Sequence, residues 1–342
     1  MSAAKSGPSI WTVADGRAGI LNQTLALSAA LAEGERAADL AYIQSDAHRD
    51  EPVILQPRGW QLALPPNLWP SALAALPPAQ RALLAPAWPD IWLAAGRRSI
   101  PYSRLMRKLS GGKTFVVQTQ NPRVPLSDFD LVIPPEHDGV KGPNVFPIVG
   151  PPVWFSQQRI ADAQAQFASL KSAAGQKVLV SIGGDSKNHT MTEQNVYLIE
   201  GAISRLAQGR TFWITVSRRT PEHARVRLRR LASTLNSVFW ENEVRDGPNP
   251  YVAFLSMCDA AMVTCESANM IADPAFFGKP VHLLKIDGGS PRFDKLHQGF
   301  IARRAAAWFT GSLPSWTYTP LREAARAADE IVRQVLKRRP NR

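Results

Sequence analysis

The sequence is poor in cysteine: Cys258 and Cys265 are the only two in 342 residues. Both fall in or beside a segment that reads as a buried strand, where a thiol packs as a small apolar group, so neither a disulfide framework nor a structural zinc site is expected. Long hydrophobic runs are also missing, and none approaches the ~20 residues that cross a bilayer. The start, Met1 to Pro8, lacks the apolar core of a secretory signal, so the expectation is a cytoplasmic protein, peripheral on the inner membrane if it meets lipid. The three-glycine dinucleotide fingerprint is absent too. The first strand-to-helix turn, Asp15 to Gln23, has only Gly16 and Gly19, which disfavours redox chemistry with a nucleotide cofactor.

What is present suits two domains. A chain of 342 residues with 45% hydrophobic content exceeds one core and supplies two. Charge is uneven: residues 1–150 carry 14 basic against 12 acidic side chains, and residues 151–342 carry 26 against 16, so +10 of the net +12 lies in the second half. That half is suited to an anionic partner. Nucleic acid is disfavoured, because no recognition helix, zinc finger or aromatic RNA-binding signature accompanies the charge and the basic residues are spread over several elements.

Short apolar runs followed by glycine or polar turns and then alanine- or leucine-rich helices are the βα units of parallel sheets. In the first half, strands are expected at Ser9–Ala14, Ala38–Ile43, Ile91–Ala95, Thr114–Gln118 and Leu131–Ile133. The stretch from Glu51 to Pro89, rich in proline and tryptophan, reads as helical turns and loop. Four prolines between Gly142 and Pro152 mark a linker. A second alternation follows, with strands at Lys177–Ile182, Thr211–Ser217, Val238–Trp240, Ala260–Val263 and Val281–Leu284. The expected organisation is therefore residues 1–150, residues 151–310, and a terminal segment 311–342 whose amphipathic, arginine-rich helix returns towards the first domain.

Three strand ends in the second half carry polar clusters. Thr264 to Val281 ends an apolar strand and opens a helix, so Glu266, Ser267 and Asn269 lie where free backbone N–H groups and the helix dipole attract phosphate. Glu266 can accept both hydroxyls of a ribose, or simply complement the dipole. Gly183 and Gly184 follow a strand and allow close backbone approach, with Ser186, Lys187, Asn188 and His189 as neighbouring donors; the same residues also fit an ordinary tight turn. Ser217, Arg218 and Arg219 end a third strand, and arginine suits bidentate phosphate contact. All three loops should emerge at one carboxyl edge and make one diphosphate pocket.

In the first half, Asp15 is a candidate general base or a helix cap, and His137, in the loop Pro134–Asp138, is a second base candidate expected to face an interdomain cleft. Gly16, Arg17, Gly19, Asn22, Gln23 and Arg97 are candidate acceptor contacts. The pair Asp128 and Asp130 is the only Asp-x-Asp available to a metal, and its place beside a strand makes it structural. Gly96 to Lys108 combines five basic residues with Ile100, Tyr102, Leu105 and Met106, a mixture that fits either an anionic membrane surface or a helix with its charged face outward.

Taken together, Asp15-Gly16-Arg17-Ala18-Gly19 with Asn22-Gln23, Ala95-Gly96-Arg97, Gln118-x-Gln120-Asn121-Pro122, His137-Asp138, Ile182-Gly183-Gly184-Asp185, Ser217-Arg218-Arg219-Thr220-Pro221 and Thr264-x-Glu266-Ser267-Ala268-Asn269-Met270 resemble the family named for the plant elongated-mitochondria fission factor. The likeness runs from about residue 9 to residue 310. It implies an α/β, GT-B-like fold, two Rossmann-like parallel-sheet domains facing a central cleft. It further implies a nucleotide-sugar as co-substrate, held by Gly183, Gly184, Ser217, Arg218, Glu266, Ser267 and Asn269, and an acceptor facing Asp15 to Gln23. The expected activity is metal-independent transfer of a sugar to a lipid or other envelope-related acceptor at the cytoplasmic membrane face. Two alternatives stay open on the same fold: a non-catalytic adaptor, since the family includes one that recruits a dynamin-related protein, and a sugar-nucleotide epimerase, for which Asp185 and Glu266 would be the acids.

Overall fold

The computed structural model describes residues 5–338. It divides into two compact units, each described on its own. The first runs to Ile148 and also holds Pro152–Trp154 and the segment from Arg322 on; the second holds Val149–Pro151 and Phe155–Leu321.

In the first unit, strands β1 (Ile10–Ala14), β2 (Val53–Ile54), β3 (Ile91–Ala95), β4 (Phe115–Thr119) and β5 (Leu131–Ile133) form a parallel sheet in the order β2-β1-β3-β4-β5. Alternate residues of each strand serve opposite faces. Ile91 and Leu93 pack on one side with Leu27 and Leu31 of helix α1 (Ala18–Glu33). Trp92 and Ala94 pack on the other with Trp11, Tyr102 and Met106, the last two from helix α2 (Ile100–Leu109). The C-terminal helix Glu323–Arg338 adds Ala324, Ala327, Ala328, Ile331, Val332 and Val335 to the α1 side, a stripe at helical spacing.

The expected strand at Ala38–Ile43 is not one. Ala37–Leu40 is a 3-10 turn in which Arg36 pairs with Asp39 at 2.8 Å, and Val53–Ile54 pairs with β1 instead. The β-branched pair suits a pleated, buried position, which Ala-Asp-Leu-Ala does not. The rest of the proline- and tryptophan-rich stretch is 3-10 turns and one short helix, Pro78–Ala82.

In the second unit, β6 (Gln176–Ile182), β7 (Arg210–Val216), β8 (Val238–Trp240), β9 (Ala260–Thr264), β10 (Val281–Leu284) and β11 (Ala306–Trp308) form a parallel sheet in the order β8-β7-β6-β9-β10-β11. Read by sequence, this is the order 3-2-1-4-5-6 of a dinucleotide-binding sheet, while the first unit has the order 2-1-3-4-5 of the flavodoxin kind. The helices used below are α3 (Glu193–Arg205), α4 (Glu222–Thr234), α5 (Ala268–Phe276) and α6 (Pro291–Ala302). Each order reverses once, between β1 and β3 in the first unit and between β6 and β9 in the second. Loops leaving neighbouring strands on either side of such a reversal open a crevice at the carboxyl edge.

Candidate functional site

At the reversal in the second unit, the loops after β6, β7 and β9 meet. The Gly183 N–H donates to Thr264 Oγ1 and the Gly184 N–H to Glu266 Oε1, both at 2.8 Å. The loop after β7 closes on the loop after β6 through Thr220, whose hydroxyl donates to the carbonyls of Ile182 and Gly183, and through the Ser217 N–H, which donates to the Ile182 carbonyl at 2.9 Å. Arg219 lies above: its Nη1 donates to the Asp185 carbonyl at 3.2 Å, and its Nη2 is 3.5 Å from Glu266 Oε1.

The two glycines make this packing possible. A Cβ on Gly183 would lie 1.5 Å from Glu266 Oε1, and one on Gly184 would lie 2.1 Å from the Arg219 carbonyl oxygen. Their role in the structure is thus to admit the glutamate and the Ser217–Thr220 turn. Glu266 is 3% exposed, and its second oxygen, Oε2, is buried without a hydrogen-bond partner. Burial pushes its carboxyl above the ordinary range, against the pull of the Gly184 N–H and Arg219. An unpaired buried carboxylate oxygen is costly, and a ligand hydroxyl relieves it.

Directly after Glu266, Ser267 is the extended residue that opens α5, and its side chain makes no capping bond. The first N–H groups of α5 have no intrahelical partner, and the helix dipole adds positive potential there. Asn269 is exposed in that first turn. Arg218 is exposed one residue from Arg219, but the guanidinium beside Glu266 is that of Arg219. Ser186 is held in a turn: its hydroxyl accepts from the N–H groups of Asn188 and His189 at 3.3 and 3.1 Å.

Two buried imidazoles border this cluster. His297 of α6 holds the Cys265 carbonyl through Nε2 at 2.7 Å, leaving Nδ1 buried and unpartnered, and its ring stands edge-on to Trp308 at 5.0 Å. His189 stands edge-on to Phe293, also at 5.0 Å. Burial holds both below the usual imidazole range, so both are neutral near pH 7. The sequence reading omits His297 as a candidate: a histidine on the buried face of an amphipathic helix has no local mark that sets it apart from core packing.

At the reversal in the first unit, Asp15 directly follows β1 with its side chain 1% exposed and paired to Arg17, whose Nη2 is 2.7 Å away and whose Nε donates at 2.9 Å. Gly16 has φ +85° and leaves room for Gln56, and a Cβ on Gly96, after β3, would lie 3.5 Å from Arg17 Nη2. Gly19, Asn22 and Gln23 fall on α1, where Gln23 accepts from Gln120 at 3.1 Å. Arg97 donates to the Leu64 carbonyl at 3.2 Å. His137 is largely buried, with Nε2 3.7 Å from Asp138 Oδ1. The structure thus gathers Asp15, Gly16 and Arg17 beside Gly96. Asp128 and Asp130 are engaged by Arg104, Arg107 and Arg338. Ile100, Tyr102 and Met106 are core residues, so the segment Gly96–Lys108 is a helix with its charged face outward and its apolar face withdrawn from any membrane.

Two Rossmann-like units with polar loops at their switch points make this an α/β protein of the GT-B type. A model of the family described as mitochondrial fission ELM1 matches residues 18–335. The chain belongs to that family. The Mitochondrial fission protein ELM1 of Arabidopsis thaliana is 29% identical over 279 residues, covering 73% of this chain, and the chain spans 65% of that relative's length. An uncharacterized protein of Rickettsia prowazekii is 25% identical over 375 residues, covering 96% of this chain and 98% of that protein. Among solved structures, UDP-GlcNAc 2-epimerase from Neisseria meningitidis bound to UDP-GlcNAc superposes with a TM-score of 0.50 at 14% identity, covering 96% of this chain and 100% of that one. No helix among the described residues is long and apolar enough to cross a membrane.

Proposed function

We propose that the protein binds a nucleotide-sugar in its second unit and transfers the sugar to an acceptor recognised by the first, a lipid or other envelope-related molecule at the membrane face. The observation that carries this reading is Glu266: a buried carboxylate with one oxygen unpartnered, one residue before the open end of α5. A ribose offers two adjacent hydroxyl donors for the one, and a diphosphate offers anionic oxygens for the other. Ser267, Asn269 and the first N–H groups of α5 would hold the diphosphate, with Arg219 turning from Glu266 towards it and Arg218 beside it. Gly183, Gly184, Ser186 and Ser217 would shape the wall.

In the transfer step the bond from the anomeric carbon to the diphosphate oxygen breaks as a bond from the acceptor oxygen forms. The leaving diphosphate takes the electron pair, and helix dipole and guanidinium stabilise it. The acceptor's proton passes to Asp15 or His137, while Gly16, Arg17, Gly19, Asn22, Gln23 and Arg97 contact the acceptor. The plant relative is a mitochondrial fission protein, and a non-catalytic recruitment protein on the same fold is the second reading.

A thermal-shift panel of UDP-, GDP-, ADP- and CMP-linked sugars separates the two. A donor should raise the melting point by mass action, and Glu266→Gln should weaken that response. If no donor shifts the melting point, the transfer reading fails and the recruitment reading stands.

A further inference from the structure

The stretch between Glu51 and Pro89 belongs to the first unit, and its chain is fixed in place. The Trp69 ring stands edge-on to buried Tyr102 at 6.3 Å, and its indole N–H donates to the Leu64 carbonyl at 3.4 Å, the same oxygen that Arg97 reaches at 3.2 Å. These contacts hold the stretch against the turn after β3. At Gly59, φ is +99°, and the turn Trp60–Ala63 that follows buries Gln61 while leaving Trp60 outside. Trp60 is 66% exposed and Leu68 is 57% exposed, the two largest apolar side chains left in water by this stretch.

The surroundings are one-sided in charge. From Pro52 to Ser127 the sequence has nine basic residues and a single acid, Asp90. Asp90 is engaged by the N–H and hydroxyl of Ser9. Arg104 and Arg107 are neutralised by Asp128 and Asp130, but among the described residues no ion pair holds Arg58, Arg97 or Arg98, all of them exposed. Trp60 stands two residues from Arg58, and Leu68 follows the Leu64 carbonyl that Arg97 reaches, next to Arg98, so apolar side chains at turns accompany guanidiniums without an ion-pair partner, a combination that complements a planar anionic surface.

We propose that this face of the first unit docks on an anionic lipid surface, with Trp60 and Leu68 entering the interface and Arg58 and Arg98 meeting lipid phosphates. Tryptophan suits that depth because its ring is apolar and its N–H stays near water. The docking needs no nucleotide-sugar, so it stands or falls apart from the transfer reading.

The test is co-sedimentation of the full chain with vesicles of phosphatidylcholine alone and with vesicles containing about one-third phosphatidylglycerol. The chain should pellet with the anionic vesicles and stay in solution with the neutral ones, and added salt should release it. Trp60→Ser with Leu68→Ser should weaken the partition about tenfold, and Arg58→Gln or Arg98→Gln about fivefold each. Because these side chains are exposed, unchanged melting curves would certify the fold of each variant. Equal pelleting of wild type and variants, equal pelleting with both vesicle types, or no pelleting with either would overturn the proposal, and the last result would leave the face to a protein partner.

Discussion

The Glu266 carboxylate occupies the space that a side chain at residue 183 would need, for a Cβ there would stand 1.5 Å from Oε1. The glycine after β6 and the glutamate after β9 are therefore one feature, although 83 residues separate them. Gly183→Ala should destabilise the second unit by about 1–3 kcal/mol, the usual cost of forcing a methyl group into a filled site. Glu266→Ala in the same chain should recover much of that loss, because the clash disappears with the carboxylate. A double-mutant cycle by chemical denaturation measures this coupling, and additive effects would mean that the two residues do not share the site.

The Arg17–Asp15 pair sets up the next expectation. Its carboxylate is 1% exposed and its guanidinium 60% exposed, so solvent screens one partner only. Arg17→Ala should cost about 1–2 kcal/mol, less than the ~3–5 kcal/mol of breaking a fully buried pair. Asp15→Asn tests the chemistry. If Asp15 is the base, this variant should keep the donor-induced thermal shift and lose sugar transfer; if it is only the anchor of Arg17, transfer should survive in proportion to folded protein.

These residues also explain how much could be read from the chain. The loops at both switch points were legible because each apolar strand ends abruptly in glycine and polar residues, a local signal. The parallel, α/β character followed from the same alternation. What stayed hidden depends on partners distant in sequence. Nothing near Gly183 or Gly184 says that their missing side chains make room for Glu266 and the Arg219 carbonyl, nor does Arg218-Arg219 reveal which guanidinium reaches the carboxylate. Ala38–Ile43 misled because a short apolar run reads as a strand, whereas its buried residues, Leu40 and Ile43, are three apart, the spacing of a 3-10 turn. The mixture of charge and apolar residues at Gly96–Lys108 left open which side faced the core, and only the sheet answers that.

A half-buried acid further along α5 gives a prediction in pH. Asp273, on α5, accepts from the Tyr251 hydroxyl at 2.9 Å, and burial raises its carboxyl from 3.8 to about 7, against the pull of Tyr251 and Arg159. A raised value means that the folded protein holds this proton more tightly than the unfolded chain. Its contribution to stability is thus fully present below about pH 4 and is lost as pH rises through about 7. Asp273→Asn should flatten the dependence of the second unit's unfolding free energy on pH across that interval. An unchanged slope, measured by urea denaturation at a series of pH values, would mean that Asp273 is ionised in the folded protein throughout.

The C-terminal helix tests how far the first unit depends on the end of the chain. Ile331 is fully buried in the cluster that also contains Leu27 and Leu31 of α1, so Ile331→Ala removes packing that no nearby residue replaces. The expected loss is about 2–5 kcal/mol, the range for truncating a core aliphatic side chain. Because all the helix's buried apolar residues belong to that cluster, the loss should fall on the first unit: hydrogen exchange should speed up in α1 and β3 and stay unchanged in β6 and β9. The thermal response to a nucleotide-sugar, carried by Glu266 and α5, should persist. Faster exchange in β6 and β9 as well would show that the two sheets unfold as one cooperative body.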